Sequence, residues 1–156
     1  MKFIAEDNPR LNKKSNIIGE EDLKKSYRFG KKMIQFIDKN YSNCIGLSAV
    51  QVGNPINMFV IRYLGVKKVF INPKIEVSGK HIKMSEGCMS YPNKYLKIIR
   101  RDRVTITYFD GLREVSESYE GMLARIIQHE YDHLLGECKV KNGRTVEKGG
   151  RRNDDK

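Results

Sequence analysis

The segment "RVTITYFDGLREVSES", Arg103 to Ser118, leaves the backbone little choice. Val104, Ile106 and Tyr108 alternate with Thr105 and Thr107, and Asp110-Gly111 follows as a turn pair. Side chains on a strand point to alternate faces, and Asp-Gly suits the tight turns of hairpins, so this stretch predicts a hairpin with one buried face. The same character runs back to Ile56. "INMFVIRY", "VKKVFINP" and "YLKIIR" are strand candidates, and "KIEVSGKHIKM" reads as a further pair around Gly79. Helices flank this block. Leu23, Tyr27, Ile34 and Ile37 recur at helical spacing between Glu20 and Asn40, with Glu20, Glu21 and Asp22 at the positive end of the dipole. Gly30 weakens that helix slightly. A second helix is expected from about Glu120 to Leu135, closed by Gly136. Between them, "CIGLSAVQVGNP" is a loop punctuated by Gly46, Gly53 and Pro55.

Composition bounds the function classes. The 156 residues suit one domain, expected over 1–140, with 141–156 as a short, polar, flexible tail. Thirty basic against nineteen acidic residues leave a net charge of +11. Such a surface suits a ribosome, nucleic acid or an acidic membrane face, or is simply a solvated lysine-rich exterior. The lysines are dispersed, and no spacing for sequence-specific nucleic-acid recognition is present. Cys44, Cys88 and Cys138 are too few for a disulfide framework and fit a reducing compartment. Glu6 and Asp7 precede any apolar run, so no secretory signal is read, and no run is long enough to span a membrane. A cytoplasmic location is expected, bacterial or that of a virus's host, or else an organelle.

The stretch "QHEYDHLLG", Gln128 to Gly136, holds the chemistry. His129 and His133 are four apart, so a helix puts both imidazoles on one face, one turn apart. Two neutral nitrogens there can share a metal ion, while Glu130 points aside and can reach a water on that ion. Met122 and Ile126 continue the apolar face, and histidines buried there without a partner would be costly. The fold class is therefore α+β: antiparallel β-strands packed around a central metal-binding helix, with an N-terminal helix. A third histidine three residues past Gly136 would mark one peptidase class, but that position is Lys139. The polar remainder is too short for a downstream helix bearing a glutamate ligand. Cysteine is the other option, and spacing alone leaves Cys44, Cys88 and Cys138 open as candidates.

Three stretches together resemble the peptide deformylases. "GLSAVQ" (Gly46 to Gln51) is similar to the family's Gly-x-Gly-Leu-Ala-Ala-x-Gln, "EGCMS" (Glu86 to Ser90) to Glu-Gly-Cys-Leu-Ser, and "QHEYDHLLG" to Gln-His-Glu-x-Asp-His-Leu-x-Gly. The likeness runs from the opening "NPRLNKKS" to about Val140. Cys44 stands at the first motif's leading glycine, Ser48 replaces an alanine and Met89 a leucine, the last two as mild changes in size. The tail is shorter than in many bacterial members, whose longer C-terminal helix is linked to ribosome contact.

The resemblance implies Cys88, His129 and His133 as metal ligands with water in the fourth position. It implies one divalent ion, Fe2+ in vivo, with Zn2+, Ni2+ or Co2+ able to occupy the site. The implied reaction removes the formyl group from N-formylmethionine at the start of newly made polypeptides and releases formate. Glu130 is expected to move the proton, and the Gln51 amide and Met89 backbone N–H to steady the oxyanion. The backbone at Ile45 and Gly46 is expected to hold the peptide as an added strand, and Ile126 to wall the methionine pocket. Arg125 is unexpected there, turning outward or lining the mouth. Asp132 and Gln128 read as supports, Glu86 as a partner of Arg100 or Arg101, and Cys44 and Cys138 as unligated thiols. Partners expected are formylmethionyl nascent peptides, with ribosome contact open, for a monomer away from membranes. Two alternatives stand beside this: a metallopeptidase cutting internal bonds, and a non-catalytic protein stabilised by a metal.

Overall fold

α1 (Leu23–Asn40) follows a single 3-10 turn at Glu20–Asp22 and lies across an antiparallel sheet. The computed structural model describes residues 1–145. β1 (Gly46–Ser48), β2 (Met58–Tyr63), β3 (Val66–Cys88), β4 (Tyr91–Phe109) and β5 (Glu114–Glu120) are neighbours in that order. α2 (Gly121–Leu135) comes next, and β6 (Arg144–Thr145) pairs with Lys94 and Tyr95 of β4. The tail expected over 141–156 lies outside the described residues from 146 onward.

β2 explains the layering. Met58, Phe59, Val60 and Ile61 are all fully buried because both faces of the sheet are covered. Met58 and Val60 join Met33 and Ile37 of α1, whereas Phe59 and Ile61 join Ala124 and Ile127 of α2. Gly30 marks how close α1 lies: a Cβ there would stand 2.5 Å from Val69 Cγ1 and 2.8 Å from Met58 Cε. The residue that weakens the helix on paper is thus the one that lets it seat. The fold is the α+β arrangement expected, with α2 packed against β1, β2, β4 and β5.

The pair of strands expected around Gly79 is instead one strand. β3 passes through Gly79 without a turn, and its pairing shifts between Ser78↔Arg103 and His81↔Arg101. Gly79 adopts φ +84, and a Cβ would fall 2.0 Å from Asp102 Oδ1, which accepts the Lys80 N–H at 2.8 Å. The glycine serves a bulge rather than a hairpin. "YLKIIR" and "RVTITYF" merge likewise into β4. The Asp110-Gly111 turn joins β4 to β5 as expected, with Asp110 Oδ1 accepting the Leu112 and Arg113 amides.

Candidate metal centre

The site lies where the β3–β4 turn meets α2. Cys88 ends β3 and pairs with Tyr91, so only Met89 and Ser90 make the turn. His129 and His133 project from successive turns of α2, ring centroids 5.3 Å apart. Cys88 Sγ stands 3.2 Å from His133 Nε2. The expected ligands therefore converge from two elements far apart in sequence.

Glu86 orients the set. Its Oε1 accepts the His129 Nδ1–H at 2.8 Å, which leaves Nε2 unprotonated and free to bind an ion in the neutral ring. Arg100 donates twice to the same carboxylate, at 2.6 and 2.9 Å, and also to Asp132 at 3.0 Å. Arg125 donates to Glu86 as well, and to the carbonyls of Ile98 and Ile82. Arg125 is thus buried and turned inward, at the wall of the cleft, rather than outward. Burial pushes the Glu86 carboxyl up, but hydrogen bonds from His129 and Arg100 outweigh it and hold it at about 2. Burial likewise disfavours a charged His129, yet the Glu86 hydrogen bond and the Glu130 charge carry the imidazole up to about 9. An ion at Nε2 must displace that proton. His133 is fully buried, and its Nδ1 has no hydrogen-bond partner among the described residues.

Glu130 stands beside this set, with Oε1 4.0 Å from His129 Nε2. Ser48 Oγ lies 2.8 Å from Glu130 Oε2 and 3.0 Å from the Glu130 carbonyl. The serine read as a mild size change therefore fixes the carboxylate. Gly46 makes room for it: a Cβ there would meet Glu130 Oε1 at 2.9 Å and Ile126 Cγ2 at 3.0 Å. Gln51 Oε1 accepts the Ser48 N–H at 2.8 Å, and its Nε2 donates to Ser90 Oγ at 2.9 Å and faces Cys88 Sγ at 3.7 Å. Cys44 is buried, donates to the Gly46 carbonyl at 3.2 Å, and has its thiol pushed up to about 12 by burial and the Glu130 charge. It is an inert thiol.

A cleft of about 500 Å³ opens on the site, large enough for a small peptide's end. Ile45, Gly46, Gln51, Met89 and Ile126 line it together with Cys88, His129 and Glu130. β1 pairs only with β2 among the described residues, so its outer edge is open along the cleft. No described helix is long and apolar enough to cross a membrane.

Sequence reasoning missed the contacts that Ser48 and Arg125 make at the site. Ser48 and Arg125 carried a local signal, as polar residues in an otherwise apolar motif or helix face. Cys138 was one of the three cysteines that spacing left open, and the way α2 ends brings its Sγ within 4.8 Å of the Cys88, His129 and His133 donor atoms.

The donor chemistry fits a metal. Cys88, His129, His133 and Cys138 offer ligand atoms all within 4.8 Å of one another. The family model of the polypeptide deformylases matches residues 1–148. The chain is 35% identical to the peptide deformylase of Christiangramia forsetii, over 86% of this chain and 76% of that one. It is 34% identical to that of Flavobacterium psychrophilum, over 74% and 71%. Among solved structures it is similar to the peptide deformylase of Thermotoga maritima, with a TM-score of 0.77, 31% identity, and 87% and 92% of the chains covered. It matches the Synechococcus elongatus enzyme in complex with actinonin at TM-score 0.77, 32% identity, and 87% and 74% coverage.

Proposed function

The chain belongs to the polypeptide deformylase family, and on that premise we propose how its side chains do the family's work. It is a metal-dependent hydrolase that removes the formyl group from N-formylmethionine at the start of new polypeptides. Cys88, His129 and His133 would hold the ion. When bound, the ion supplies Lewis-acid activation of a water and of the formyl oxygen. Glu130 takes the proton of the attacking water and passes it to the leaving amine. Ser48 keeps one of its oxygens occupied, so the other is the one that moves the proton. Gln51 Nε2 and the Met89 backbone N–H donate to the oxygen on which negative charge grows.

The peptide backbone adds to the open edge of β1 at Ile45 and Gly46, which makes recognition insensitive to side chains beyond the first. Ile126, which lines the cleft, walls the pocket for the methionine side chain. The observation that carries this reading is Glu130 Oε1 standing 4.0 Å from His129 Nε2 at the cleft.

The ion proposed is Fe2+, with Zn2+, Ni2+ or Co2+ able to replace it. The protein would act as a cytoplasmic monomer on nascent chains, its +11 charge suiting contact with the ribosome. The test is anaerobic purification with metal analysis and formate release from formyl-Met-Ala on one sample. Glu130→Gln should keep its metal and lose activity by about 10²–10⁴-fold. A variant as fast as wild type, or cleavage of casein without formate release, would refute the reading.

A further inference from the structure

Met122, Arg125, Ile126 and His129 fall at helical spacing along α2, so they share one face, and all four line the cleft. Methionine, isoleucine and a metal-binding histidine suit a pocket that receives an apolar side chain beside an ion. A guanidinium does not follow from that task. Arg125 is only 5% exposed, and burying a cation is costly unless its donors are used. Its Nη1 donates to Glu86 and to the Ile98 carbonyl at 3.2 Å, and its Nη2 to the Ile82 carbonyl at 2.6 Å. The group therefore lies along residues 82–86 of β3, whose middle residue, Met84, also lines the cleft.

A guanidinium carries five N–H donors. These contacts use three, so the Nε donor and a second one on Nη2 have no partner among the described residues. Bracing Glu86 does not by itself require Arg125, because Arg100 already donates twice to that carboxylate, at 2.6 and 2.9 Å. What Arg125 adds is spare charged donors in a wall otherwise built of Met84, Met122 and Ile126. In so dry a wall unpaired donors are costly, which favours an occupant that brings an acceptor. That occupant must still be close to methionine in size. Methionine sulfoxide fits: it keeps the unbranched chain, adds one strong acceptor oxygen at sulfur, and arises from methionine by oxidation.

We propose that Arg125 is a specificity-determining residue that lets this enzyme deformylate chains beginning with N-formylmethionine sulfoxide as well as N-formylmethionine, by donating to the sulfoxide oxygen. The proposal rests on the deformylase reading. The bond broken is the same formyl amide, water supplies the new oxygen of formate, and the sulfoxide leaves the enzyme unreduced. An all-apolar pocket discriminates against a polar isostere by about 10²-fold. A charged donor in the wall removes most of that penalty.

The experiment measures kcat/KM for formate release by metal-loaded enzyme from formyl-Met-Ala, its sulfoxide, and formyl-norleucyl-Ala as an apolar control. Wild type, Arg125→Met, Arg125→Leu and Arg125→Lys are compared, each by the ratio of one substrate to another, so that general damage cancels. Wild type should use the sulfoxide within about tenfold of methionine. Arg125→Met and Arg125→Leu should lose at least a further factor of about ten on the sulfoxide alone, and Arg125→Lys less, because it keeps a charged donor. The norleucine-to-methionine ratio should stay within about threefold throughout. Wild type rejecting the sulfoxide by about 10²-fold or more would overturn the proposal with no variant needed. So would a sulfoxide-to-methionine ratio unchanged in Arg125→Met and Arg125→Leu, which would confine Arg125 to bracing Glu86, or a sulfoxide loss matched by norleucine. Each of these leaves deformylation of formyl-Met-Ala standing, whereas no formate from that substrate with wild type would take both readings down.

Discussion

Replacing Glu86 with glutamine takes one negative charge from a point where Arg100, Arg125 and His129 all converge. The shape is kept, so the effect is electrostatic. Two routes give its size. The carboxyl is held at about 2 against an ordinary 4.5, and each unit corresponds to about 1.4 kcal/mol, which makes roughly 3 kcal/mol. Breaking a buried ion pair by removing one partner costs about 3–5 kcal/mol by mutational precedent. Both refer to a group that is 8% exposed, where solvent screening is weak. The sign follows from the direction of the shift. A depressed carboxyl contributes stability that is present above pH 4.5 and is lost as pH falls toward 2. Urea unfolding of the chelator-treated protein should therefore find Glu86→Gln about 3 kcal/mol less stable than wild type at pH 7. The gap should close as pH drops through that window, because wild type then loses what the variant never had. A gap under about 1 kcal/mol at pH 7, within the range of exposed pairs, or one that persists at low pH, would refute the argument.

Two further outcomes follow from glycines. Gly46→Ala places a methyl 2.9 Å from Glu130 Oε1, so the carboxylate must shift; formate release should fall about 10²-fold with zinc content unchanged, and an unchanged rate would mean the carboxylate's position is not critical. Gly30→Ala drives a methyl to 2.5 Å from Val69 Cγ1, and thermal unfolding should show a loss of about 1–3 kcal/mol despite alanine's better helix propensity; a gain would show that α1 can ride higher on the sheet.

The comparison of sequence with structure divides along a physical line. Whatever depended on spacing within one element was legible: His129 and His133 share a helix face, Val104 to Tyr108 alternate, and Gly136 closes α2. The Glu86–Arg100 pair was foreseen as one of two choices, and the structure selects it because Arg101 turns instead to the Gly79 carbonyl. What depended on neighbouring elements was not legible. Gly79 reads as a turn, yet Asp102 on the adjacent strand captures the Lys80 amide and turns it into a bulge. Arg125 looked out of place until Glu86 and two carbonyls from β3 and β4 were there to receive it. Ser48 looked like a size change until α2 brought Glu130 to it.

The separation of Cys88 from the histidines has a consequence for how the protein matures. All of β4 and β5 lies between them in sequence, so the three donors proposed for the ion meet only when that meander has closed and α2 has docked. A chain still missing α2 has one of the three proposed donors, Cys88, and no site. The ion consequently distinguishes the finished fold from everything before it, and at a hundred times its dissociation constant it would add about 2.7 kcal/mol to the folded state alone. Metal supply thus acts late, as a lock on a completed chain rather than a seed for its folding.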